Sequence, residues 1–160
     1  MNQDVIPPAA RRWLSAIEPL GVRVEVVVVP EGSKTAEAAA AGIGCEVRHI
    51  VKSLVFEADG EPVVALVPGD RRVDTRLLAD ALGAARVSRA DLAVVRAATG
   101  FAAGGTPPFG HARALRVVAD LALDDSATLW IACGTPDTVG AVTHAELLAA
   151  SSATVVALSS

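Results

Sequence analysis

His49-Ile50-Val51-Lys52-Ser53-Leu54-Val55-Phe56-Glu57-Ala58-Asp59-Gly60-Glu61-Pro62-Val63-Val64-Ala65-Leu66-Val67 is the stretch that decides between architectures. Residues 49–58 are rich in β-branched and aromatic side chains and read as a strand. Asp59-Gly60 is a strong two-residue hairpin signal, because both central positions of the favoured turn need positive φ. Residues 62–67 then pair back as the next strand. The pair must be antiparallel, and the elements on either side do not form a regular βαβα series. The sequence therefore predicts an α/β chain of the α+β type, with a mixed, curved sheet and helices packed outside it, rather than a doubly wound parallel sheet.

Upstream, Ala10, Trp13, Leu14 and Ile17 fall at helical spacing behind Pro8, which suits a first turn, and predict a helix over 8–19. Residues 22–29 read as a buried strand closed by Pro30. Ser33 is a candidate cap for a helix over 35–41, with Gly42 as its stop. Downstream, helices are expected over 74–82, ended by Gly83, over 91–98, capped by Ser88, and over 144–150. Strands are expected over 115–119, 128–133, 139–142 and 154–158, with a glycine- and proline-rich loop over 99–110.

The 160 residues suggest one domain, residues 1–160, which should bury roughly 70% of the surface exposed by the unfolded chain. No repeat, linker or low-complexity tract divides it. With 52% apolar residues, 3% aromatics and no Tyr, the core must be built from Val, Leu, Ile and Ala. No apolar run reaches the ~18 to 20 residues that span a bilayer, and the first residues lack a secretory leader pattern, so a cytoplasmic location away from membranes is expected. A net charge of -4 argues against broad binding to nucleic-acid backbone, DNA included, while leaving room for a small contact with one nucleic-acid end. Arg11-Arg12 and Arg71-Arg72 could touch phosphates, although solvated surface pairs explain them as well. Cys45 and Cys133 form no CxxC, and no disulfide is expected.

Lys52 is the first candidate for chemistry. On a strand it shares a face with Ile50, Leu54 and Phe56, and an ammonium among apolar neighbours is costly unless it is paired or reaches outward. The chain uses Arg twelve times and Lys twice, so a compact ammonium at this position suggests a geometric need that Arg would not meet. A lysine reaching solvent at a sheet edge is the plainer alternative. The second candidate is Thr99-Gly100-Phe101-Ala102-Ala103-Gly104-Gly105-Thr106-Pro107-Pro108-Phe109-Gly110. Its glycines allow positive φ and close approach of backbone to a ligand, and its prolines narrow where the remaining N–H groups point. Such a loop suits a carbonyl oxygen or a phosphate, though it could be purely structural. It contains no Walker A or GxGxxG pattern. In Ala132-Cys133-Gly134-Thr135-Pro136, Gly134 could admit backbone to a small ligand or simply end a strand. His49, His111 and His144 show no metal-ligand spacing, no GxSxG is present, and neither cysteine is a strong nucleophile candidate. No metal or cofactor is expected.

Three segments in order resemble one family. They are Lys34-Thr35-Ala36-Glu37-Ala38-Ala39, then residues 50–56 around Lys52, then Thr99-Gly100-Phe101 with Gly104-Gly105-Thr106-Pro107-Pro108-Phe109-Gly110. Cys133-Gly134-Thr135 and His144-Ala145-Glu146-Leu147-Leu148 also sit where that family has a glycine turn and a short helix. The chain thus resembles the YbaK/prolyl-tRNA-synthetase-associated editing-domain family over about residues 22–158. The resemblance implies a curved mixed, largely antiparallel sheet or barrel-like core surrounded by helices, and hydrolysis of amino acids from mischarged tRNA, often tRNA-Pro carrying Cys, Ala or another small residue. Lys52 matches the family's lysine, Gly110 its loop glycine, and Gly134 its turn glycine. On this reading Lys52 and Gly110 are catalytic, while Ser53, Gly104, Gly105, Thr106, Phe109 and Gly134 bind substrate. The partners implied are the acceptor end of a mischarged tRNA and prolyl-tRNA synthetase. Two departures leave the amino acid open: Pro107-Pro108 stands where cysteine-specific members carry Ser-Pro, and Ser53 where alanine-specific ones carry Asn. The competing functions are a tRNA- or amino-acid-binding module without catalysis, and a hydrolase of another small ester.

Overall fold

The computed structural model describes residues 6–29 and 35–160. In chain order its helices are α1 (Pro8–Ile17), α2 (Ala36–Ile43), α3 (Thr75–Leu82), α4 (Leu92–Thr99) and α5 (His144–Ser151). The strands are β1 (Val27–Val28), β2 (Val51–Ala58), β3 (Glu61–Pro68), β4 (Val87–Arg89), β5 (Arg116–Asp120), β6 (Leu129–Ala132), β7 (Thr138–Val142) and β8 (Thr154–Val156). The hairpin forms as the sequence requires. Asp59 (φ 50°) and Gly60 (φ 86°) are both left-handed, and Ala58 faces Glu61 across the turn.

The strands form two sheets, ordered β4-β2-β3-β5-β8 and β1-β7-β6. In the larger, β2 pairs antiparallel with β3 and β4, while β3–β5 and β5–β8 are parallel. The smaller is antiparallel throughout. The architecture is therefore mixed and largely antiparallel, as expected. A bridge between Ile50 and Trp130 joins the two sheets, and the described strands form no closed barrel.

Alternation along β2 and β3 sends side chains to two cores. Val51, Val55, Val64 and Leu66 enter the larger one, with Trp13 and Ile17 of α1, Val95 of α4 and Leu147 of α5. Phe56, Val63, Ala65 and Val67 enter the second, under Leu78 of α3. Helix starts follow ordinary capping. Asp74 and Asp91 accept from Arg76 and Val94 N–H groups, and Thr143 with Glu146 forms a capping box.

Several boundaries differ from expectation. Residues 22–29 are not a buried strand: Val22, Val24 and Val26 turn inward, Arg23 and Glu25 outward, and only Val27–Val28 pairs, with β7. Ser33, Pro30 and Lys34 lie outside the described residues, and Thr35 caps α2 instead. Gly42 does not stop that helix. It lies within it because an added Cβ would sit 2.4 Å from Val29 Cγ1, and Gly44 (φ 86°) supplies the stop. Ser88 lies in β4 rather than capping α4, the carboxylate of Asp91 being placed to do so.

Candidate active site

The site sits at a gap in the edge of β2. On its outer side β2 pairs with β4 only at Phe56–Ala58, and Ile50 bridges to Trp130 on β6. The residues between them face a cavity of about 240 Å³. Antiparallel strands turn successive main-chain groups alternately to one neighbour and the other. The Ile50 carbonyl accepts from Gly69 N–H on the β3 side, and the Val55 carbonyl accepts from Ala90 N–H on the β4 side. Ser53 shares the parity of Val55, so its N–H and C=O turn into the gap. Its hydroxyl is buried and has no hydrogen-bond partner among the described residues. An unpaired buried hydroxyl costs about 1 to 3 kcal/mol, and a ligand supplying the missing partner would recover it.

Lys52 lines the same cavity and is half-buried. Burial pushes its ammonium below the ordinary lysine range. Glu37 opposes that shift, Arg72 and Arg89 add to it, and Asp70 opposes it. The ammonium donates to the Arg71 carbonyl. The Arg71 guanidinium in turn donates to Ser159 Oγ (3.2 Å), and Ser159 Oγ donates to Asp120 Oδ2 (2.5 Å). Asp120 is buried and also accepts from Leu158 N–H (3.2 Å). A relay from the C-terminal strand region thus fixes the carbonyl that holds the lysine.

Lys52, Arg89, Ser53, Thr35 and Thr106 are the polar side chains of the cavity's described walls, and Ala36 and Ala39 of α2, Ile50, Leu54, Trp130 and Val139 are among the apolar ones. Among the described residues, no Asp, Glu, His or Cys lines it. The arrangement can hold a small group beside a cation and an open strand edge, and its described walls offer no side-chain general base.

Of the residues expected at the site, Lys52, Ser53, Gly104 and Thr106 are brought together. The others are not. Gly105 crosses the backbone of Thr135, where an added Cβ would lie 2.6 Å from Thr135 Cα, and its N–H is already given to Ala102 O (3.1 Å). Gly134 (φ 118°) donates to Gly105 O (2.9 Å) and backs onto α1, 3.0 Å from Ala9 O measured from an added Cβ. Phe109 is buried against Trp13, with ring centroids 5.6 Å apart, and its carbonyl accepts from Trp13 Nε1 (2.9 Å). Gly110 (φ 77°) lies on the same indole, where a Cβ would be 2.9 Å from Nε1. Gly110 lies against Trp13 and the Gly105 N–H is given to Ala102 O, and neither residue is among the described walls of the cavity.

The sequence reading missed Arg89 and Trp130, and quoted Thr35, Ala39 and Pro136 only within longer segments, without a site role. Arg89 and Trp130 belong to no motif, and Arg89 lies on a three-residue edge strand without periodicity. Cys133 is buried, and burial pushes its thiol far up, which fits packing and not nucleophilic chemistry. His111 is also held low by burial, against the pull of Pro107 O, with which its Nε2 shares a 2.7 Å hydrogen bond. His49 joins Asp124 (3.1 Å) outside the cavity, and Asp124 is drawn down to about 2 mainly by hydrogen bonds from Ser126 and His49.

A two-sheet α/β domain with a lysine-bearing cavity at an open strand edge defines a class of small-ligand domain, and comparisons narrow it. The chain belongs to the aminoacyl-tRNA editing domain family, whose pattern matches residues 30–150. It is 43% identical over 93 residues to a proline–tRNA ligase of Geobacter sp. (strain M21), covering 58% of this chain and 16% of that protein. It is 30% identical over 120 residues to the proline–tRNA ligase of Pelotomaculum thermopropionicum, covering 75% of this chain and 20% of that protein. The chain thus spans about a fifth or less of the length of these relatives. A crystal structure described as a candidate trans-editing enzyme for prolyl-tRNA synthetase superposes with a TM-score of 0.91 at 38% identity, over 97% of this chain and 99% of that one. A second crystal structure, of a hypothetical protein, shares the fold with a TM-score of 0.84 at 24% identity, over 93% of this chain and 99% of that one.

Proposed function

We propose that the protein is a trans-editing aminoacyl-tRNA deacylase that hydrolyses the ester of a mischarged tRNA, with tRNA-Pro carrying a small amino acid such as Cys or Ala as the substrate class. The observation that carries this reading is the lysine-bearing cavity at an open strand edge in a chain of the editing-domain family. A volume of about 240 Å³ with alanine and valine walls suits a short side chain, and Lys52 with the Ser53 edge stands where the ester would lie. A wall that excludes one methylene discriminates by only ~1 to 3 kcal/mol, which is why a second sieve after aminoacylation makes physical sense.

In the proposed step, water attacks the ester carbonyl, the carbon–oxygen bond to the ribose breaks, and the amino acid leaves as a carboxylate. The developing oxyanion is met by the Lys52 ammonium and the outward N–H of Ser53. One preorganised donor of this kind is worth about 3 to 4 kcal/mol in the barrier. Since no carboxylate or imidazole is among the described walls of the cavity, the proton of the attacking water passes to the departing ribose oxygen, relayed by the neighbouring ribose hydroxyl. The acceptor end of the tRNA is the partner this chemistry requires, and prolyl-tRNA synthetase the enzyme whose errors it would clear.

The lack of a general base among the described walls also favours a second reading, a module that binds the tRNA end without cleaving it. A deacylation screen over tRNA-Pro charged with Cys, Ala, Ser, Thr and Pro separates the two. Release of one or more small amino acids with Pro retained supports editing. Binding of every charged tRNA without release would leave the module.

A further inference from the structure

A second cavity of about 300 Å³ adjoins the first, and the two share Ser53, Leu54, Arg89, Gly104 and Thr106. It lies between the outer edge of β2, the start of α4 and the loop around Ala103, and Lys52 is not among its walls. Arg89 is the one cation common to both. It stands opposite Phe56 on β4, with its guanidinium 5.7 Å from the ring centroid, and no carboxylate of the described residues lies within 4.0 Å of it in an ion pair. The one carboxylate of the second cavity, Asp91, has an oxygen bound to Val94 N–H as the cap of α4. Arg89 and Lys52 therefore both line the first cavity, whose described walls hold no anion, and Arg89 is close enough to disfavour the lysine's charge. A ligand bearing one negative charge at the junction would relieve that repulsion.

We propose that the junction of the two cavities receives the phosphodiester preceding the terminal nucleotide of the tRNA, with Arg89 as its cationic ligand and the second cavity as the path of the strand. The inference rests on the deacylase reading for the identity of the strand. The order of groups along such a substrate is amino acid, ester, ribose, phosphate. With the ester at Lys52, the ribose passes Gly104 and the phosphate arrives at Arg89, where the two cavities share their walls. Gly104 (φ 88°) suits that waist, since an added Cβ would meet only Pro136, at 3.8 Å. A guanidinium presents paired donors to phosphate oxygens, a geometry an ammonium lacks.

The test compares wild type with Arg89→Gln and Arg89→Lys. Binding is measured for the trinucleotide CCA and for adenosine, which has no phosphate, and hydrolysis for aminoacyl-tRNA and for 3′-aminoacyl-adenosine. Arg89 is exposed on an edge strand, so both variants should fold, which the melting temperature verifies. Arg89→Gln should weaken CCA about tenfold, lower the slope of log affinity against log salt by about 0.7, and leave adenosine unchanged. Arg89→Lys should recover part of the loss. Equal loss for CCA and adenosine, unchanged CCA binding, or no wild-type binding of CCA would overturn the proposal. If CCA binding depends on Arg89 while neither ester is hydrolysed, the deacylase reading falls and this one stands. If both esters are hydrolysed at wild-type rate by Arg89→Gln, the reverse holds.

Discussion

The glycine-rich loop has two halves made of similar residues with opposite surroundings. The front half, around Gly104 and Thr106, faces the cavity, and Gly104 has open space where a side chain would start. The rear half, Phe109 and Gly110, is pressed onto Trp13 and Ile17 of α1. Both glycines have positive φ, 88° and 77°, so backbone conformation does not distinguish them. What separates them is the neighbour. A glycine can be required because a ligand approaches, or because an indole already has. Only the first is a site, and the second holds the first in position.

The largest effect that would extend this contrast is at Lys52. Lys52→Ala should lower deacylation roughly 10²- to 10³-fold while moving the melting temperature by only a few degrees, as aminoacyl-tRNA turnover and calorimetry would reveal. The pH dependence has a defined sign. Because burial lowers the ammonium's pKa, the cation is lost at a lower pH than in a free lysine, and cation-dependent deacylation should fall as pH rises through that lowered value. The unfolded chain holds the proton more tightly, so stability should rise with pH between the lowered value and the ordinary one. Lys52→Met should abolish both trends.

Next comes the rear half of the loop. Gly110→Ala places a methyl into Trp13 and Ile17 at a left-handed φ, and should cost about 2 to 4 kcal/mol, or roughly 5 to 15 °C in melting temperature. The molecules that remain folded should turn over near the wild-type rate. Gly104→Ala should do the opposite, losing only about 1 kcal/mol of stability to backbone strain while raising KM, because its methyl enters the path of the substrate. If the two variants gave the same pattern, the division between halves would be wrong. The smallest effect concerns the relay behind the lysine. Ser159→Ala removes both the bond from the Arg71 guanidinium, worth about 1 kcal/mol, and the bond to buried Asp120, so stability should fall as well, while kcat/KM should drop no more than roughly fivefold. The lysine pKa, read by isotope-edited NMR on a chain with two lysines, should shift with it; an unmoved pKa would detach Ser159 from the site.

The hairpin, most helices and the Lys52 strand were legible because each rests on local rules: Asp59-Gly60 sets its turn, Asp74 and Gly83 bracket α3, and β2 alternates. Residues 22–29 misled because β-branched composition reports extended backbone but not whether a partner strand runs alongside. Ser88 was preferred to Asp91 as a cap, since a three-residue strand leaves no periodic trace. The roles of Gly104 and Gly110 could not be told apart locally, because Trp13 is 96 residues from Phe109 in the chain. Arg89 was invisible for the same reason: its worth comes from where β4 ends.

Trp130 has a practical corollary. The chain has two tryptophans and no tyrosine, Trp13 is fully buried, and Trp130 is part of the cavity wall. Ultraviolet emission therefore has two indole sources in very different settings, one sealed in the core and one at the place where an occupant would sit. The protein carries its own optical gauge of occupancy, and titrating an unlabelled ligand should dim or shift one component while the other serves as an internal standard.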